Sequence, residues 1–369
     1  MFAVFADIRI FFCTFAKNIK LITNKTTLMK ALFIGGTGTI SSAITRRIAQ
    51  NPDWELYLLN RGTRNSELPE NIKTVIADIN GDENVVAAAL DGMTFDVVCD
   101  FIGFVPEQVE RDYRLFCGRT RQYMFISSAS AYQKPLASPV ITEGTPLSNP
   151  YWQYSRDKIA CEELLMRHYR EDGFPVTIIR PSHTYCERSV PVAVHGDNGS
   201  WQVLQRMLDG KPVIVPGDGT TLWTVTHNTD FAKAFTGLMG NVHAIGEVFH
   251  ITSDEHLTWN QIHETVAAAL GVKLKVCHVP SDILAVVGKQ YDMQGNLIGD
   301  KANTVIFDNT KVKRAVPDYC ATVRFDQGVR WAVDYIMEHP ELQQPDPVFD
   351  DWCDKIVAAT EQMEKSLLS

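Results

Sequence analysis

The chain runs to 369 residues, 45% hydrophobic and 21% charged, the make-up of a soluble globular protein long enough for two structural units. A formal charge of -9 and the lack of any basic run give no electrostatic reason to bind nucleic acid, which is not expected as a partner. Eight cysteines without Cys-x-x-Cys spacing argue against a disulfide scaffold or a zinc site and read as reduced, buried small hydrophobes of a cytoplasmic protein.

Residues 1–28 are apolar and aromatic, but Asp7, Arg9, Lys17 and Lys20 interrupt them, so no span reaches the ~20 residues of a membrane helix. They read as a nonessential N-terminal extension, and no membrane partner is expected. Met29 then opens "MKALFIGGTGTIS", where a strand over 31–34 runs into Gly35, Gly36 and Gly38 and a helix over 39–50. Glycines there allow a tight turn and close approach of backbone to a pyrophosphate, and the helix start offers free N–H groups to the same anion. A glycine cluster can be no more than a turn. Its place between first strand and first helix favours a dinucleotide site built from Gly35, Thr37, Gly38, Thr39 and Ile40. Ser41 stands where a third glycine is usual, and serine is small enough for close helix–strand packing.

The second strand, 55–59, ends in "LLNRGTRN". NAD sites usually place an acidic residue there, whereas this chain has Asn60, Arg61 and Arg64. A guanidinium suits a 2′-phosphate, so NADP is favoured over NAD; arginines that simply face solvent are the plain alternative. After a third strand over 73–77, Asp78 and Ile79 are placed to meet an adenine, or Asp78 only caps a turn.

Helices are predicted over 82–91, 106–116 and 151–171, alternating with strands over 95–102, 122–127 and 176–180. Short, nearly continuous apolar strands separated by helices specify a parallel sheet covered on both faces, an α/β doubly wound fold. Beyond Arg180, short strands in "VIVPGDGTTLWTV" and "EVFHITS" and helices over 199–209, 228–239, 258–270, 281–289 and 326–338 predict further sheet strands and a smaller mixed α/β C-terminal cap. The chain then divides into the extension 1–28, a dinucleotide-binding core 29–180, remaining strands and a substrate-binding cap 181–340, and a peripheral C-terminal helix 341–369.

The fifth strand runs into "ISSASAY", which offers Ser127, Ser128 and Ser130 at the carboxyl edge where open α/β sheets bind ligands. "YWQYSRDK" then places Tyr154 and Lys158 one helical turn apart, on one face. At an effective dielectric of ~20, an ammonium ~5 Å away favours ionisation of the phenol by on the order of 3 kcal/mol, about two pKa units. That would bring a tyrosine toward the range of a general acid or base. The ten histidines form no short metal-ligand motif with a third ligand nearby, and no metal site is expected.

Five stretches in family order, "GGTGTIS", "SSASAY", "YSRDK", "IIRPSHTY" and "WTVTHNTDFAKAF", make residues 29–340 resemble the short-chain dehydrogenase/reductase superfamily in its extended, nucleotide-sugar-epimerase-like branch. The resemblance implies a Rossmann fold, Tyr154 as catalytic acid/base, Lys158 as a ligand of the nicotinamide ribose that lowers the tyrosine pKa, and Ser128 holding the substrate oxygen. It also implies Pro181 and Ser182 beside the nicotinamide, and Ser130, His183, Tyr185 and His227 on the substrate side. Ala129 and Ser130 stand where dehydratase members carry an Asp-Glu pair, so elimination would lack its extra acid/base groups. Asn60-Arg61-Gly62 is similar to atypical members, including chloroplast RNA-binding relatives, some of which are noncatalytic; the intact Tyr154–Lys158 pair argues against that loss. The activity implied is that of an NAD(P)-dependent oxidoreductase or epimerase acting on a secondary alcohol or ketone of a sugar or nucleotide-sugar. The alternative is a noncatalytic NAD(P)-sensing or RNA-associated protein of the same fold, and related enzymes imply a homodimer.

Overall fold

Three strands whose every residue is buried, β4 (Val97–Asp100), β5 (Tyr123–Ile126) and β7 (Val176–Pro181), form the middle of a seven-stranded sheet. In this computed structural model residues 28–62 and 68–369 are described; Arg64 and residues 1–27, almost all of the expected extension, lie outside them. The sheet order is β12 (Val248–Ile251), β7, β5, β4, β1 (Met29–Ile34), β2 (Trp54–Asn60), β3 (Lys73–Ile76), and every pairing is parallel. The winding reverses between β1 and β4, which opens a crevice at the carboxyl ends of the strands.

Side chains of a strand alternate between faces, and the core divides accordingly. Phe33, Leu58, Cys99 and Met124 pack on α1 (Ser41–Ala49) and α6 (Asn228–Leu238), while Leu32, Val98, Tyr123 and Phe125 pack under α2 (Glu83–Ala89), α3 (Pro106–Phe116) and α4 (Gln153–Asp172). Burial on both faces is why these strands read as apolar runs rather than alternating ones. The predicted strand 95–102 is shorter, because Phe95 makes only an isolated bridge to Thr120 and the chain leaves the sheet after Asp100. "EVFHITS" supplies β12, the seventh strand.

A third apolar cluster lies in the later part of the chain, where Trp223 and Trp259 stack with ring centroids 5.5 Å apart. Around it α5 (Trp201–Leu208), α7 (Trp259–Leu270) and α8 (Ser281–Val287) surround two strand pairs, parallel β9 (Val213–Pro216) with β14 (Val276–Val279) and antiparallel β10 (Leu222–Trp223) with β13 (Leu257–Thr258). Two further parallel pairs, β8 (His183–Tyr185) with β11 (Val225–His227) and β6 (Val140–Ile141) with β15 (Ile306–Phe307), join the cap to the sheet edge. Helices α9 (Thr310–Ala315) and α10 (Phe325–Glu338) follow, and α11 (Pro347–Leu368) is clamped by Arg206, whose guanidinium meets Asp350 at 2.6 Å and Asp354 at 2.8 Å.

Gln294–Lys301 forms a π-helix, an element with neither the helical nor the strand period, and nothing in the sequence pattern signals it. It is locked against the start of α4: a Cβ on Gly295 would sit 2.1 Å from the Trp152 indole, and Asn149 Nδ2 donates to the carbonyls of both Ser130 and Gly299, at 2.8 and 2.7 Å. Of the seven cysteines described, all are free thiols; Cys117 and Cys320 are exposed rather than buried, and the other five are buried.

Candidate active site

The glycine loop leaves β1 with Gly35 at φ 98° and Gly36 at φ 108°, conformations that a side chain resists. A Cβ on Gly36 would stand 2.8 Å from Leu58 Cδ2, so the loop lies directly on β2, and Thr45 donates to the Gly36 carbonyl at 2.7 Å. Ser41 does more than fit: its hydroxyl accepts from the Gly38 N–H at 3.0 Å and closes the loop onto α1. Gly36→Ala is therefore expected to destabilise the fold by about 1–3 kcal/mol in urea melts and to weaken dinucleotide binding.

A cavity of about 580 Å³ opens on one side of this loop, lined by Gly35, Thr37, Asn60, Arg61, Asp78 and Ile79 among others. It unites residues from the ends of β1, β2 and β3. Asn60 Oδ1 accepts from the Gly62 N–H at 2.7 Å, and among the described residues Asn60 and Arg61, not a carboxylate, stand at the end of β2. Asp78 lines the cavity, and its carboxylate accepts from the Asn80 N–H at 3.0 Å. Gly38 and Thr39 line a neighbouring cavity of about 540 Å³ with Arg46 and Glu187, and the Ile40 side chain packs against the core. The bare backbone, the helix start beneath it and this cleft fit a nicotinamide dinucleotide.

Across the crevice, Tyr154 sits in the first turn of α4 and Lys158 one turn on. The Lys158 ammonium is buried and donates to the carbonyls of Gly103 at 2.6 Å and Ile126 at 2.7 Å, which fasten α4 to the ends of β4 and β5. A lysine has three N–H donors, so one remains. The expected lowering of the Tyr154 pKa by this charge is not what the geometry gives. Burial raises the phenol above its ordinary value, opposed by the Ser128 hydroxyl, with Asp300 adding to the rise. The physical reason is that Lys158 directs its charge at two carbonyls, with Nζ 5.8 Å from the centre of the phenol ring, while burial pulls its own pKa down to about 8. Ser155, which motif reading passed over, donates to Ser130 Oγ at 2.7 Å, and Ser130 lies 2.9 Å from Ser128 Oγ, so three hydroxyls form a chain that fixes the serine beside the tyrosine helix.

Ser128, Ser130, Tyr154, Pro181, Ser182 and His183 all line one cavity of about 310 Å³ under the cap. Tyr185 and His227 do not reach it. The register of β8 against β11 places them opposite each other, their rings 5.1 Å apart; Tyr185 is wedged against Phe325, and His227 caps α6 through Thr229. Packed in this way, neither is placed to touch a substrate in the cavity, contrary to the expectation from their motifs. In their place the cavity gains Lys134, His195, Trp223, Asn296, Asp300 and Lys301 from segments far apart in the chain. Trp223 Nε1 donates to His183 Nδ1 at 3.2 Å, so the neutral His183 ring carries its proton on Nε2; burial pushes its pKa down to about 3. His195 Nδ1 donates to the Gly196 carbonyl at 2.8 Å, leaving Nε2 as an acceptor, and burial lowers its pKa to about 4. Among the described residues no group of three or more His, Cys, Asp or Glu side chains could hold a metal ion, and no helix is long and apolar enough to cross a membrane.

This arrangement of glycine loop, serine turn and tyrosine helix on a seven-stranded parallel sheet coincides with a family sequence profile over residues 31–252. The chain belongs to the NAD dependent epimerase/dehydratase family. It lies in the extended branch of the short-chain dehydrogenases/reductases. This family member is similar to the 2'-dehydrokanamycin reductase of Streptomyces kanamyceticus, 23% identical over 294 residues that cover 79% of this chain and 80% of that one. It is also similar to the chloroplast stem-loop binding protein of 41 kDa b from Arabidopsis thaliana, 28% identical over 255 residues, 66% of this chain and 63% of the other. Among solved structures, the UDP-glucuronic acid 4-epimerase of Bacillus cereus shares the fold with a TM-score of 0.67 at 19% identity, over 84% of this chain and 99% of its own.

Proposed function

We propose that the protein is an NAD(P)-dependent oxidoreductase or epimerase that works on a secondary alcohol or ketone of a sugar or nucleotide-sugar, with Tyr154 as acid/base. The observation that carries this reading is that Ser128, Tyr154, Pro181 and Ser182 face a single cavity, with Lys158 buried one helical turn beneath the tyrosine. A nicotinamide dinucleotide held by the glycine loop would supply the hydride donor or acceptor. Ser128 hydrogen-bonds the reacting oxygen, Tyr154 moves its proton, and the remaining N–H of Lys158 would hold the cofactor's ribose. Ala129 and Ser130 leave no carboxylate beside Ser128, which favours oxidation–reduction over elimination.

NADP is the favoured cofactor, because β2 ends in Asn60-Arg61 with no acidic residue to repel a 2′-phosphate. Titration calorimetry is expected to show NADPH binding about tenfold tighter than NADH, a difference of about 1.4 kcal/mol. Arg61→Ala is expected to erase most of that preference while leaving NADH unchanged; equal affinities in the wild type would overturn the assignment. The reaction itself is tested by incubating the purified protein with keto-sugars and NADPH. Net cofactor consumption marks a reductase, and sugar isomerisation with retained dinucleotide marks an epimerase.

Similarity to a stem-loop binding protein supports a second, noncatalytic reading. In that case RNA binding would persist in Tyr154→Phe, and no sugar would be turned over by either protein.

A further inference from the structure

The substrate cavity holds charges that the proton-transfer chemistry does not use. Lys134, four residues after Ser130, is 3% exposed and lines the cavity, and among the described residues its ammonium makes neither a hydrogen bond nor an ion pair. Lys301, on the π-helix, is 7% exposed and gives a single hydrogen bond, to the Ala193 carbonyl at 3.2 Å, leaving two N–H donors. The charges of both reach Asp300, which lines the same cavity and whose carboxylate accepts no hydrogen bond among the described residues and closes no ion pair with either lysine. A buried ammonium without a partner is costly, and burial lowers the pKa of both lysines, Lys301 to about 8, a cost that a bound anion would offset. Lys134 without a partner and Lys301 with a single carbonyl, against one carboxylate, leave the wall with a net positive charge, since His183 and His195 are both held neutral by burial. Asp300 has a role in this balance: its charge opposes the loss of the proton from both Lys134 and Lys301.

We propose that the cavity takes a sugar bearing an anionic group, a carboxylate or a phosphate, which Lys134 and Lys301 hold while Ser128 and Tyr154 face the reacting carbon. The inference rests on the hydride-transfer reading for its substrate class and adds the charge. At about 310 Å³ the cavity is at the small end of ligand pockets, which begin at roughly 300 Å³, so one sugar ring with its charged substituent fills it. Trp152 and Trp223 are among the residues that line it.

Titration calorimetry on the NADPH-loaded Tyr154→Phe protein tests this without requiring turnover. The probes are glucuronate, glucose 6-phosphate, UDP-glucose, glucose and glucosamine. Glucuronate or glucose 6-phosphate is expected to bind about tenfold or more tighter than glucose, with glucosamine weakest, and which of the two wins tells a carboxylate from a phosphate; UDP-glucose binding tightest of all would put the charge on the nucleotide and overturn the proposal. Lys134→Gln and Lys301→Gln are each expected to lower that affinity about tenfold while leaving glucose unchanged, and Lys134→Arg to restore it; thermal melts confirm that the variants fold. Equal binding of glucose and the anions, no binding by any anion, tightest binding of glucosamine, or lysine variants that weaken every probe alike would each overturn the proposal. Turnover of a neutral sugar by the wild type would sustain hydride transfer and sink the charge assignment, so the two readings fail separately.

Discussion

Tyr154→Phe lowers turnover by about 10²–10⁴-fold, the usual contribution of a positioned acid/base, while dinucleotide binding and the melting temperature stay close to wild type. The substitution removes one oxygen and leaves the ring where it packs, 4.9 Å from Trp152. The pH profile should identify the partner. Burial holds the phenol above its ordinary value, so Tyr154 is protonated through the neutral range and ready to donate in the reductive direction. Burial also brings Lys158 down to about 8, against the charge of Asp100; its ammonium is complete below that value and lost above it. Reductive kcat/KM is therefore expected to be level near neutrality and to fall as pH rises through about 8. In Lys158→Met the residual activity should lose that alkaline limb, and an unchanged limb would assign it to another group. If Tyr154→Phe and wild type turn over every alcohol and ketone alike, the tyrosine is not the acid/base.

Glu162→Ala is expected to destabilise the protein by about 3–5 kcal/mol, read as a lowered midpoint in urea and thermal melts. Glu162 lies on α4 one turn beyond Lys158, and Arg180 on β7 grips both of its oxygens, with Nε at 2.9 Å; each residue is 3% exposed. Ser127, the residue before Ser128, donates to the same carboxylate, so the pair ties the tyrosine helix to the serine turn. Behind it the Arg180 guanidinium lies over the Tyr132 ring at 4.7 Å, and the Tyr132 hydroxyl donates to His250 Nδ1 at 3.1 Å. Removing the glutamate leaves a buried guanidinium uncompensated, which is the source of the large effect. The double replacement of Glu162 and Arg180 by methionine should recover much of the loss, because two apolar groups need no partner. A single variant as stable as wild type would show that the pair is solvated in solution.

The amino-acid sequence by itself determined the order of strands and helices in the central sheet, the glycine loop and the tyrosine–lysine spacing, because each is written in local pattern. A strand buried on both faces needs an unbroken apolar run such as "FDVVCDF", a loop at φ near 100° needs Gly35 and Gly36, and a helix puts residues four apart on one face. Helix 106–116 was legible to the residue, with Pro106 at its first turn. Tertiary structure alone decided which polar groups share the cavity. Lys134, His195, Asp300 and Lys301 come from three separate segments, and nothing in their neighbours marks them, since burial of a loop residue is set by what packs over it. The same packing removed Tyr185 and His227, which lie in a promising motif but face each other in a strand pair. It also turned the Lys158 charge toward two carbonyls, so helical spacing predicted the proximity of lysine and tyrosine and not the direction in which the ammonium acts.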